Sequence, residues 1–210
     1  MRRIATMLLV LAAVGGCSSS VPRHSAVFIP TPSPTRPPAT ATATTSLAPG
    51  ASPEASADTS GWVALAPDGE GFSVLMPGKA TASTVSTKSP GGDVPTNSWS
   101  ATGAVGSFDV SHARFPKGSF SAGTPTAVLD AGMKAIAATA LPGSTISNVA
   151  DLTVGGHAGR TFTFSDSKTA SVCEFFVVGD DIYTLFVGSE PGKMDATVMR
   201  AFFGSFQLTV

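Results

Sequence analysis

The sequence predicts an α+β domain over residues 61–210, a mainly antiparallel sheet with helices packed on it. Three observations carry this. Strand-like runs recur with Pro-Gly, Gly-Gly and Gly-Asp-Asp turns between them, the punctuation of hairpins. Two stretches, opening at Pro125 and at Pro191, change to apolar residues three and four apart, the period of a helix. Two adjoining strands, 171–178 and 182–187, are apolar on both faces, as a sheet covered on both sides requires at its centre.

In chain order, residues 62–66 are brief and apolar. After the turn Pro67-Asp68-Gly69, the run Phe72-Ser73-Val74-Leu75-Met76 reads as a strand stopped by Pro77-Gly78, so the pair predicts a hairpin. Residues 81–87 are β-branched and polar, the composition of an edge strand, and Pro90-Gly91-Gly92 turns the chain into a strand at 96–102. Residues 105–115 alternate, with Phe108, Val110 and His112 on one face and Ser107, Asp109 and Ser111 on the other, which predicts a half-buried strand.

The period then changes. Thr124 is placed to cap a helix with Pro125 at its first position; Leu129, Met133, Ile136, Ala137 and Ala140 form its apolar face, and Pro142-Gly143 ends it. Strands at 146–154 and 160–164 follow, joined through Gly155-Gly156, with Phe162 and Phe164 on a common face. In the doubly apolar pair joined by Gly179-Asp180-Asp181, Val172, Phe176 and Val178 oppose Cys173, Phe175 and Val177, while Tyr183, Leu185 and Val187 oppose Ile182 and Phe186. A helix opened by Pro191 carries Met194, Val198, Ala201 and Phe202 on one stripe, stops at Gly204 and leads into a strand at 205–210.

The domain is preceded by two segments of different character. Residues 1–16 read as a signal peptide: Arg2 and Arg3 are followed by an uncharged apolar run over residues 4–14, too short for the roughly 20 residues of a membrane-spanning helix. Val14-Gly15-Gly16-Cys17 resembles the lipobox of bacterial lipoproteins, an aliphatic residue and two small ones before the Cys that receives diacylglycerol. That resemblance implies cleavage between Gly16 and Cys17 and lipid attachment at Cys17, hence an extracytoplasmic protein anchored to the cell membrane; the alternative is an ordinary secretory signal with Cys17 a free thiol.

Residues 17–60 read as a disordered tether rich in Pro, Thr, Ser and Ala, a composition that buries too little apolar surface to offset its ordering entropy. At about 3.1 Å per residue where extended, some 40 such residues reach up to about 130 Å. A passive spacer and an O-glycosylated stalk both fit it.

The chain carries 13 Lys and Arg against 14 Asp and Glu; without Arg2, Arg3, Arg23, Arg36, Glu54 and Asp58, the domain keeps 9 basic and 12 acidic residues, net −3. Without a basic cluster, nucleic acid is not an expected partner. With Cys17 lipidated, Cys173 has no mate and the domain holds together without disulfides.

Gly71-Phe72-Ser73-Val74-Leu75-Met76-Pro77-Gly78, Gly156-x-x-Gly159-Arg160, Phe175-x-Val177-x-Gly179-x-x-x-Tyr183-x-Leu185 and Phe203-x-Ser205-Phe206 together resemble an uncharacterised bacterial group within the PsbP-like superfamily. The superfamily often has a Trp soon after the first strand's Pro, where Lys79-Ala80 stands here. The resemblance spans most of residues 70–208 and implies a twisted, mainly antiparallel sheet between helices, a PsbP-like α/β/α sandwich. It also implies adaptors and binding proteins more than enzymes.

Chemistry is thinly signalled. His112 and His157 have no metal-ligand spacing with Cys, Asp or Glu, and no Gly-x-Ser-x-Gly elbow is present. His112 reads as a partly buried strand residue and His157 as a turn residue; a catalytic reading needs a Ser and an Asp brought to His112. Asp180, Asp181 and Glu190 could together hold a hard cation, or be solvated. Cys173 reads as an inert small hydrophobe, Glu174 as needing a cation such as Arg160, and Trp99 as the aromatic most suited to surface contact. No cofactor and no metal are expected. The expected function is a non-catalytic binding or adaptor domain with an envelope protein as partner, the alternative being a carrier or sensor of a small apolar ligand.

Overall fold

Hairpin turns and two helix caps divide the computed structural model, which describes residues 57–89, 91–121 and 123–209, into ten strands and two helices. The signal peptide, Gly16, Cys17 and the tether up to residue 56 lie outside the described residues. In order come β1 (Val63–Leu65), β2 (Phe72–Met76), β3 (Thr81–Ser89), β4 (Gly92–Gly103), β5 (Gly106–Arg114), α1 (Pro125–Ala140), β6 (Thr145–Val154), β7 (His157–Ser165), β8 (Ala170–Val178), β9 (Asp181–Ser189), α2 (Ala196–Gly204) and β10 (Gln207–Leu208). A seven-stranded antiparallel sheet runs β3-β4-β5-β9-β8-β7-β6, and a three-stranded sheet runs β1-β2-β10.

The alternation read from the sequence decides what each face buries. Toward α1 the large sheet presents Ala113, Phe162, Phe164, Cys173, Phe175 and Ile182, which meet Leu129, Met133, Ile136 and Ala137 of the helix. Toward the small sheet and α2 it presents Phe108, Val110, Phe176, Tyr183, Leu185 and Val187, which meet Phe72, Val74, Met76, Phe202 and Phe206. The centre is therefore covered on both sides, by α1 on one and by the small sheet with α2 on the other. Each fully buried Phe, Ile or Leu contributes about 1.5–3 kcal/mol relative to exposure, so the two cores dominate the fold's stability.

Local chemistry accounts for the element ends. Thr124 caps α1, its hydroxyl accepting from the Ala127 N–H at 3.3 Å, with Pro125 in the first turn. Gly155 and Gly156 turn β6 into β7 with φ of +57° and +84°, the double left-handed geometry of a tight hairpin. Gly159 is required by proximity: a Cβ there would lie 2.5 Å from a Phe176 ring carbon and 2.6 Å from the Phe175 carbonyl oxygen.

Four expectations are corrected. The second helix starts at Asp195 rather than Pro191, because the Asp195 carboxylate accepts from the N–H groups of Thr197 (2.7 Å) and Val198 (3.1 Å). The last strand pairs with β2 only through Gln207 and Leu208. β4 extends back to Gly92 through Pro95, which the sheet tolerates because pairing with β5 begins one residue later, at Thr96. His157 is the first residue of β7, paired with Val154, and not part of the turn.

Candidate functional site

A buried polar cluster forms where the turn between β1 and β2 crosses β4, β5 and β9. Strand register assembles half of it: Asn97 lies directly opposite His112, and His112 directly opposite Tyr183. The turn supplies Glu70, 8% exposed. Glu70 Oε2 stands 2.7 Å from His112 Nδ1 and accepts from the Arg114 guanidinium at 2.9 Å, while Oε1 accepts from the Asn97 amide at 2.8 Å. The same Arg114 nitrogen, Nη2, also donates to the Gly69 carbonyl at 2.7 Å, so one guanidinium nitrogen holds the turn at two successive residues. The His112 ring stacks on Tyr183 with centroids 4.3 Å apart and planes 13° from parallel.

His112 Nε2 is buried without a hydrogen-bond partner, and Asp181 Oδ1 is 3.6 Å away. Burial, and then the Asp181 charge, push the Tyr183 phenol above its ordinary range. The catalytic reading needed a Ser and an Asp brought to His112: Asp181 lies 3.6 Å from Nε2, and among the described residues no hydroxyl or thiol bonds either ring nitrogen. What the geometry accomplishes is attachment, a carboxylate satisfied by an imidazole, a guanidinium and an amide that pins one hairpin to the large sheet.

The remaining sequence-predicted groups are dispersed. Asp180 accepts from the Gly118 N–H at 2.8 Å, Asp181 faces His112, and Glu190 pairs with Lys193 at 2.7 Å, so the three acids do not share a cation site. Among the described residues no three His, Cys, Asp or Glu side chains are grouped to hold a metal ion. Arg160 does not meet Glu174. It lies opposite Phe175, on the α1 face, and pairs with Asp130 of α1 and with Asp151 of β6 at 2.8 Å, whereas Glu174 faces the other way opposite Thr161. Burial pushes the Glu174 carboxyl up to about 7. Burial likewise raises Asp109 to about 6, although the Ser100 hydroxyl donates to it at 2.5 Å.

Cys173 is fully buried, and that burial pushes its thiol well up. Trp99 turns inward rather than outward: paired with Val110, it packs edge-on against Phe72 at 5.4 Å. Its polar neighbours Ser98 and Ser100 point to the opposite face, which is why the local composition misled.

Glu70, Arg114 and Asn97 carry no sequence signal of their own. The only available hint was arithmetic, since His112 shares the inward face with Phe108 and Val110 and so needs a buried partner. For an apolar ligand the structure offers an open groove of about 230 Å³ between Phe120, Pro125, Val128, Leu129, Ala158 and Val177. No helix among the described residues is long and apolar enough to cross a membrane.

No protein-family model matches the chain, and no curated protein matches it. Among solved structures it is similar to cyanobacterial PsbP (CyanoP) from Synechocystis sp. PCC 6803, with 15% identity over 70% of this chain and 92% of that one and a TM-score of 0.47. It is also similar to LpqN of Mycobacterium tuberculosis, described as involved in cell envelope biogenesis, with 14% identity over 74% and 82% of the two chains and a TM-score of 0.38. A Pseudomonas aeruginosa protein of unknown function, PA94, a putative regulator, matches with 14% identity over 63% and 85% and a TM-score of 0.35. At these identities and scores, none of the three carries a residue role over to this chain.

Proposed function

We propose that this chain is a lipid-anchored, extracytoplasmic, non-catalytic binding or adaptor domain that contacts another protein of the cell envelope. The observation that carries the reading is Val14-Gly15-Gly16-Cys17 after a short basic and apolar leader. On this reading the leader is cleaved between Gly16 and Cys17, Cys17 receives the lipid, and residues 17–60 hold the domain away from the bilayer. Two or more acyl chains anchor stably where one does so only marginally, each methylene adding about 0.8 kcal/mol.

The test is metabolic labelling with radioactive palmitate. The wild-type chain is expected to take up label and to fractionate with membranes, and the Cys17→Ala variant to do neither. Equal labelling of both sinks the anchoring; where only the wild type takes up label, capture from detergent-solubilised membranes identifies its partner.

Carriage of a small apolar ligand takes second place. The groove beside Phe120 and Val128, at about 230 Å³, falls below the roughly 300–1,000 Å³ of ordinary ligand pockets. Lipid co-purifying with the protein in stoichiometric amount, seen by mass spectrometry, would reverse this ranking.

A further inference from the structure

We propose that β3 is a self-docking edge through which two copies of this chain join antiparallel, β3 to β3, into one continuous sheet. β3 ends the order of the seven-stranded sheet, and all nine of its residues, Thr81–Ser89, pair with β4 in unbroken register. Among the described residues no strand pairs with its outer side, which presents a row of backbone donors and acceptors, the arrangement that templates another strand.

The opposite edge is guarded. β6 shifts register between Ser147 and Ala150, and Asn148 there takes a left-handed φ of +51°, so its ladder is interrupted where a further strand would add. β3 has no shift in register against β4. The side chains of Thr81–Ser89 are small or β-branched except Lys88, its one charge, which is exposed and pairs with Asp93 at 2.7 Å.

The occupant follows from charge and symmetry. Antiparallel pairing that overlaps all nine residues is centred on Val85, which sets Thr84 against Ser86, Ser83 against Thr87, Ala82 against Lys88 and Thr81 against Ser89. No like charges meet across this ladder, and each Lys88 faces an alanine. A foreign peptide is selected on a sheet edge by pockets for its alternate side chains. On the α1 side the strip of β4 next to β3 runs Val94, Thr96, Ser98 and Ser100, three of the four bearing hydroxyls and the one apolar side chain, Val94, buried in the core. Main-chain pairing with an identical strand is what this edge matches, in the two-fold manner of most homodimers.

The experiment uses the full chain with Cys17→Ser, so that the buried Cys173 is its only other thiol and the result does not depend on lipid attachment. In that background Val85→Cys is expected to form a disulfide-linked dimer under mild oxidation, because the axis places residue 85 against itself, at a Cα separation a disulfide spans in either kind of antiparallel pair. Val149→Cys on β6, where Val149 is 46% exposed, is expected to stay monomeric. Thr84→Lys with Ser86→Lys opposes like charges across the axis, and is expected to shift the sedimenting mass from dimer to monomer, with the dimer returning in high salt. A natively folded Val85→Cys chain that does not link, or links no faster than Val149→Cys, overturns the proposal.

Discussion

Glu70 and His112, 42 residues apart in the chain, meet at 2.7 Å between Oε2 and Nδ1, and this contact ties the β1–β2 turn to the large sheet. Removing the carboxylate leaves the His112 Nδ1 and the Asn97 amide without their partner and takes one of the two contacts of the Arg114 guanidinium. Glu70→Ala is therefore expected to lower the unfolding free energy by about 2–4 kcal/mol. Glu70→Gln, which keeps an acceptor, should lose less. Urea titration measures both, and a Glu70→Ala chain within about 0.5 kcal/mol of wild type would show that the turn is held by other means.

Glu174 sets a pH dependence. Burial raises its carboxyl from 4.5 to about 7, so the folded chain holds this proton more tightly than the unfolded chain does. The stability it contributes is fully present below about 4.5 and is lost as pH rises through about 7. Asp109 acts in the same sense between 3.8 and about 6. Thermal midpoints are expected to fall across this window. Glu174→Gln should flatten the upper part of the curve and gain about 1–2 kcal/mol at pH 8, after discounting for partial solvent screening. An unchanged pH profile in that variant would remove Glu174 as the cause.

Gly159 tests how closely β7 and β8 approach. With Phe176 and the Phe175 carbonyl inside 3 Å of the missing Cβ, Gly159→Ala is expected to cost about 1–3 kcal/mol through overpacking. Gly179→Ala has open space around its Cβ but a φ of +62°, so its cost should be about 1 kcal/mol and purely conformational. Comparing their denaturation midpoints separates steric from backbone effects.

Cys173 is expected to be silent toward thiol reagents in the native chain and to react fully after unfolding. It has no exposed surface, and burial keeps its thiol protonated. A Cys17→Ser chain that reacts with a chromogenic disulfide at neutral pH without denaturant would place Cys173 in a locally opening strand.

The core was legible because it is written in local periods. Phe108 and Val110, Phe162 and Phe164, and the two faces of β8 and β9 fall where alternation put them. The stripe of Leu129, Met133, Ile136 and Ala137 is likewise the buried side of α1. Element ends were less legible: Pro191 read as the helix start, and only the backbone shows that the N–H groups of the first turn are capped by Asp195. Trp99 failed for a related reason: polar residues on both sides suggested a wet strand, yet they belong to its other face.

Periods of 2.0 and 3.6 residues do not depend on distant partners, so the sequence by itself determined the element types and the two apolar faces. Neighbours in space depend on how loops close and how strands align over tens of residues. The tertiary structure alone decided that β5 lies beside β9, that Arg160 turns to Asp130 and Asp151 instead of Glu174, and that Glu70 reaches His112. Each of those contacts is a pairing of polar groups excluded from water, and a polar residue in a sequence carries no mark of the partner that will satisfy it.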